Sequence, residues 1–196
     1  MANYNAIKYD GFSKGSTTLI KTLTASSSGT LDFVDGSSSV VLDSTYKEYL
    51  FIFNSIHQQT NDADFSFQAS TNTGTSYGVT CTSTFFKTYH DEGDTNTSVS
   101  YDTNSDLAQA TGFKRLMRLS NGNDESGSGY LHLFNPSDTT FVKHFYSRCL
   151  GVNSNTYTQC EFTAGYFNTT SAIDAIQFKF SSGNIDAGTV QLIGIT

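Results

Sequence analysis

Short apolar stretches recur along the chain at fairly even spacing, separated by turns rich in Ser, Thr, Asn and Gly. That pattern predicts a sandwich or barrel of strands rather than alternating helices and strands. About ten strands are expected, drawn from residues 17–24, 30–34, 39–42, 46–56, 63–69, 83–89, 112–119, 129–135, 141–151, 158–167, 175–180 and 187–195. In 46–56, Tyr49, Phe51 and Phe53 share one face and Leu50, Ile52 and Ile56 the other. Two apolar faces predict either a central strand covered on both sides or one whose second face meets another subunit. The closing "QLIGIT" repeats the signal and is expected to be tied into a sheet.

Residues 1–16 break the pattern, with Tyr4, Ile7, Tyr9 and Phe12 scattered among polar residues without a period. The segment is expected either to be disordered alone or to serve as an assembly arm that orders on a neighbour. Residues 90–112 and 121–129 read as loops, with one short helical turn over Asp106 to Ala110.

The hairpin over 141–167 suggests a register. With Ser154 and Asn155 as a two-residue loop, Cys149 faces Cys160, Arg148 faces Glu161 and Phe145 faces Ala164. Phe145, Cys149, Cys160, Phe162 and Ala164 then share one face, and His144, Tyr146, Arg148 and Glu161 the other. Cys149 and Cys160 are expected close together as free thiols.

Composition strengthens the β reading: 26 Ser, 27 Thr, 16 Phe and 11 Tyr stand in 196 residues, and good helix formers are scarce. The expected fold is all-β, an antiparallel two-sheet sandwich over 17–196 behind the short N-terminal arm. Net charge −7 with 11 Lys and Arg argues against nucleic-acid binding. No apolar run approaches the roughly 20 residues that span a bilayer, and no secretory signal opens the chain, so no membrane partner is expected and folding is assigned to cytoplasm. Three cysteines without ligand spacing fit a reducing compartment.

Candidate chemistry is sparse. His57, His90, His132 and His144 lack partners at zinc spacing. Acids near 62–64, 91–94 and 124 offer oxygen ligands of the type calcium takes, without a complete calcium loop. There is no nucleophile elbow and no phosphate-binding glycine motif, so the chain reads as non-enzymatic, with no catalytic residue, cofactor or metal assigned. The one candidate ligand patch is Tyr89, His90, Asp91, Glu92, Asp94 and Tyr101, where aromatic rings and acids gather in a loop region.

The run "YLHLFNPSDTTFVKHFYSRC" and the following "GYFNTTSAIDAIQFKFSSGNIDAGTVQLIGI" resemble the C-terminal half of virion proteins of tailed bacteriophages, especially marine and cyanobacterial ones. The matching positions are Asn135, Pro136, Ala172, Ile173, Ile176, Ser182, Gly183, Asn184, Ile185, Gly188, Thr189, Leu192, Gly194 and Ile195, with Thr45, Tyr46, Lys47, Leu50, Phe67, Gly74 and Tyr77 upstream. The group's Asn-Gly-Asp is replaced by Ala69 to Thr73, and its Tyr before the closing Gly-Ile by Ile193. The resemblance implies a jelly-roll-like sandwich in a virion structural protein: a tail fibre or appendage subunit, or a capsid decoration protein. It implies partnership with itself as a homo-oligomer and with other virion proteins, after synthesis in host cytoplasm. The alternative is a host-attachment module that binds host-surface glycan.

Overall fold

The computed structural model describes residues 17–196; the arm residues Tyr4, Ile7, Tyr9 and Phe12 lie outside the described residues. Thirteen strands form among them: β1 Thr17–Thr24, β2 Leu31–Val34, β3 Glu48–Gln58, β4 Ala63–Ser70, β5 Cys81–Asp91, β6 Thr97–Tyr101, β7 Leu107–Ala110, β8 Lys114–Leu119, β9 Gly127–Phe134, β10 Lys143–Val152, β11 Tyr157–Phe167, β12 Ala175–Phe180 and β13 Ile185–Ile195. All pairings are antiparallel. A nine-stranded sheet runs β1-β13-β3-β9-β10-β11-β5-β6, with β7 also on β5, and packs against a four-stranded sheet, β2-β12-β4-β8. Leaving aside β5–β7 and β10–β11, successive strands alternate between the sheets except at β4 and β8, which both lie in the smaller one. Those five extra strands all join the larger sheet, which therefore overhangs the smaller one.

Alternation decides what lies between the sheets. Phe178 of β12 is fully buried, its ring within 5.2–6.3 Å of Phe33, Phe51, Phe53, Phe65 and Phe67 by centroid. Most of these pairs are edge-to-face, which lets the positive ring edge meet the negative ring face. Burying each such ring contributes roughly 1.5–3 kcal/mol.

Four expectations are corrected. In β3, a bulge at Asn54 and Ser55, with Ser55 at φ 49°, reverses the alternation and carries Ile56 into the core beside Tyr49, Phe51 and Phe53. Gly188 opposes it at φ +109°, where an added Cβ would come 2.6 Å from the Ser55 carbonyl oxygen. Second, residues 39–42 form no strand: Ser38 and Ser39 turn with positive φ, and Asp35 accepts the Leu42 N–H at 2.8 Å. Val40 and Leu42 still plug the core, which explains why the stretch reads as apolar.

Third, the presumed loop over 90–112 contains β6 and β7, and Leu107–Ala110 is extended rather than helical. Thr97, Val99 and Tyr101 alternate with Ser98 and Ser100, but neither side of β6 faces the core, so the period is invisible as hydrophobicity.

Fourth, the 141–167 hairpin sits one residue away from the expected register: Cys149 faces Glu161, Arg148 faces Phe162, Leu150 faces Cys160 and Phe145 faces Gly165. The loop has three residues, because Thr156 adopts φ 59° and its N–H bonds the Asn153 carbonyl at 3.0 Å. A turn followed by a left-handed residue is a common three-residue hairpin loop. The extra residue inverts β11 relative to β10, so Cys149 points into the core while Cys160 points out beside Arg148, whose Nε donates to its Sγ at 3.3 Å. Cys81, Cys149 and Cys160 are all free.

Candidate functional site

Strand pairing aligns outward side chains of the large sheet into lateral rows. One row runs Tyr101, Phe86, Phe162, Arg148, Tyr130 and Ile52 across six strands. The next runs Ala164, Tyr146, His132, Leu50, Ile193 and Leu19. Neither row carries a carboxylate. Phe86 and Phe162 stack at 4.5 Å and 5° between planes, with the Arg148 guanidinium 5.4 Å from the Phe162 centroid. His132 stacks on Tyr146 at 4.6 Å, and its Nδ1 pairs with the Glu48 carboxylate on the neighbouring strand.

Among the described residues, the exposed large apolar side chains are Leu19, Phe86, Val99, Tyr101, Phe141, Tyr146 and Leu150. All but Phe141 stand on this outer face. Leu50 and Ile52, the second apolar face of β3, are half-buried within it.

The residues of the candidate ligand patch are divided between the two sides of the sheet. Alternation along β5 points Tyr89 and Asp91 to the inner side and His90 outward, and Tyr101 of β6 points outward as well. Asp91 is spent on the β5–β6 turn: it accepts from the backbone N–H of Thr95 and of Asn96 at 2.8 Å and from the Thr95 hydroxyl at 2.5 Å. The Thr95 hydroxyl, then the Asn96 amide, hold its carboxyl well below the usual carboxylate range. Asp94 sits 3.2 Å from His90 on the open turn beside the exposed Glu92, and the Tyr101 hydroxyl donates to Asp106 at 2.7 Å. No group of three or more His, Cys, Asp or Glu converges to hold a metal among the described residues.

A buried ion pair, absent from the sequence reading, joins the sheets: Arg115 of β8 contacts the Glu161 carboxylate, whose other oxygen accepts the Arg118 N–H at 3.1 Å. Arg118 also holds Asp64 at 2.7 Å. These carboxylates are engaged by guanidinium groups rather than set free across a groove.

The outer aromatic rows also escaped the sequence reading, although their signal was present. Phe86 and Phe162 alternate with inward residues as Leu50 and Ile52 do, but only a correct hairpin register brings them side by side. Comparison of the chain with models of protein families, with curated proteins and with solved structures finds no match.

Proposed function

We propose that this chain is a non-enzymatic structural subunit of a bacteriophage virion, a fibre or appendage subunit or a capsid decoration protein, that self-associates through the outer face of its large sheet. The observation that carries the self-association is the gathering of Leu19, Phe86, Val99, Tyr101, Tyr146 and Leu150 on that one face. Large apolar side chains left exposed on one face mark an interaction site. At about 4.8 Å between strands, eight strands span about 34 Å, and with about 25 Å along the strands the face offers roughly 850 Å². That matches the ~800 Å² per partner of a stable interface. A second copy suits it electrostatically: at net charge −7 two copies repel generally, and the two rows without carboxylates are where they meet at least cost.

A jelly-roll-like winding belongs to the same reading. Its support is the order β1-β13-β3-β9 facing β2-β12-β4-β8, with consecutive strands crossing between sheets. The virion assignment rests on the sequence resemblance over the final third. Sedimentation velocity at micromolar concentration tests the association. The protein should be a homo-oligomer, and Phe86→Asp with Tyr146→Asp should give a folded monomer. A monodisperse wild-type monomer that binds neither virions nor capsid proteins would overturn the reading.

A further inference from the structure

Where the large sheet overhangs the small one, its inner side has no core to face. There the inward positions turn polar and aromatic: Lys87 and Tyr89 on β5, Ser98 and Ser100 on β6, Tyr157 and Gln159 on β11. Of these, Lys87, Tyr89, Tyr157 and Gln159 line a trough of about 240 Å³, together with Arg115 and Arg118 of the edge strand β8, Asp62 and Asn155. Its end is tied shut, since Ser154 in the β10–β11 loop donates to Asp62 at 3.2 Å.

We infer that this trough is a binding site for an uncharged saccharide. Tyr89 and Tyr157 stack at 5.2 Å and 11° between planes, giving a rigid two-ring wall whose free side suits the C–H face of a sugar ring. Among the lining side chains, the buried Oε1 acceptor of Gln159 has no hydrogen-bond partner, whereas the Arg115 Nε faces the Asp64 carboxylate at 3.4 Å. Gln159 is 7% exposed and lines the trough. Unpaired buried polar atoms are a standing cost that a ligand can remove. The free acceptor and the pairing of the lining charges select the ligand class. Gln159 Oε1 repels an anion, the lining cations repel an ammonium, and a hydroxyl group donates to Gln159 Oε1 at no cost in charge. The cations are already balanced, Lys87 by Asp102 at 3.0 Å, Arg115 by Glu161 and Asp64, and Arg118 by Asp64 at 2.7 Å.

The site lies on the opposite side of the sheet from the proposed assembly face, so either can fail without the other. The test is binding of the full chain to a printed array of neutral and N-acetylated oligosaccharides, at low and high salt. Wild type should bind a defined subset with little salt dependence. Tyr157→Ala and Gln159→Ala should weaken it at least about tenfold, as should Asn155→Ala, whose exposed side chain is not needed for folding. Phe86→Asp on the outer face should leave it unchanged. Absence of any array binding overturns the inference, as does binding indifferent to these trough substitutions or abolished by salt.

Discussion

Arg115 and Glu161 meet across the two sheets with side chains 7% and 1% exposed, tying the overhanging strands to the edge of the smaller sheet. Burial pushes the Glu161 carboxyl up while Arg115 pulls against it. Removing one member of such a pair leaves a buried charge uncompensated, which costs about 3–5 kcal/mol. Glu161→Gln and Arg115→Met should each lower unfolding stability by about that amount in urea titrations. The double variant Arg115→Met/Glu161→Leu should lose less than either single one, because no charge remains stranded. Losses that simply add would show that the two side chains act independently.

The same residue shows where sequence reading succeeds and stops. The strand β11 and its partner β10 are legible from apolar runs, as are the core faces of β3 and β13. The partner of Glu161 is not, because it depends on whether the turn holds two or three residues. That parity rests on Thr156 at φ 59°, a conformation Thr seldom adopts and composition does not announce. One miscounted residue exchanged Arg148 for Arg115 and set Cys149 against Cys160. It also hides the Phe86–Phe162 stack, since it sets Phe162 on the face of Cys149. The trough was illegible for a different reason: Tyr89 and Gln159 become a site only because the small sheet stops at β8.

Phe178 offers a direct measure of the core. Its ring touches the aromatic set from both sheets, so Phe178→Ala removes contacts that no single neighbour can refill. The expected loss is about 3–5 kcal/mol, read as a lower midpoint in denaturant with an unchanged slope. A loss below about 1 kcal/mol would mean that the facing sheets close over the gap.

Lys114 predicts an alkaline signature. Its side chain is 1% exposed, its Nζ lies 4.5 Å from the Phe85 centroid and donates to the Ser105 carbonyl, and burial holds its pKa down to about 8 from 10.5. Between these values the unfolded chain holds a proton that the folded chain has released, so this group adds stability as pH rises from about 8 to about 10.5. Below about 8 both states are charged and its burial is a cost. Wild type minus Lys114→Met should therefore show stability climbing across that window. Cys81, which burial raises to about 12 in the wild type, opposes this trend in both proteins. A flat difference would place the Lys114 ammonium in contact with water.

The hairpin register can be tested by sulfur chemistry. Leu150 faces Cys160 across the β10–β11 ladder on the outer side, whereas Cys149 turns its Sγ into the core. Directly opposed residues hold their Cβ atoms about 4.5–5.5 Å apart, and a disulfide brings them to about 3.8 Å, a closure that an exposed strand pair can make. Leu150→Cys should therefore join Cys160 within one chain under mild oxidation, seen as a linked peptide pair by mass spectrometry. Wild type should yield no Cys149–Cys160 link under the same conditions. The alternative register exchanges the two results, setting residue 150 against Gln159 and Cys149 against Cys160. A Cys149–Cys160 bond in the wild type would thus restore the two-residue turn and send Glu161 outward, away from Arg115.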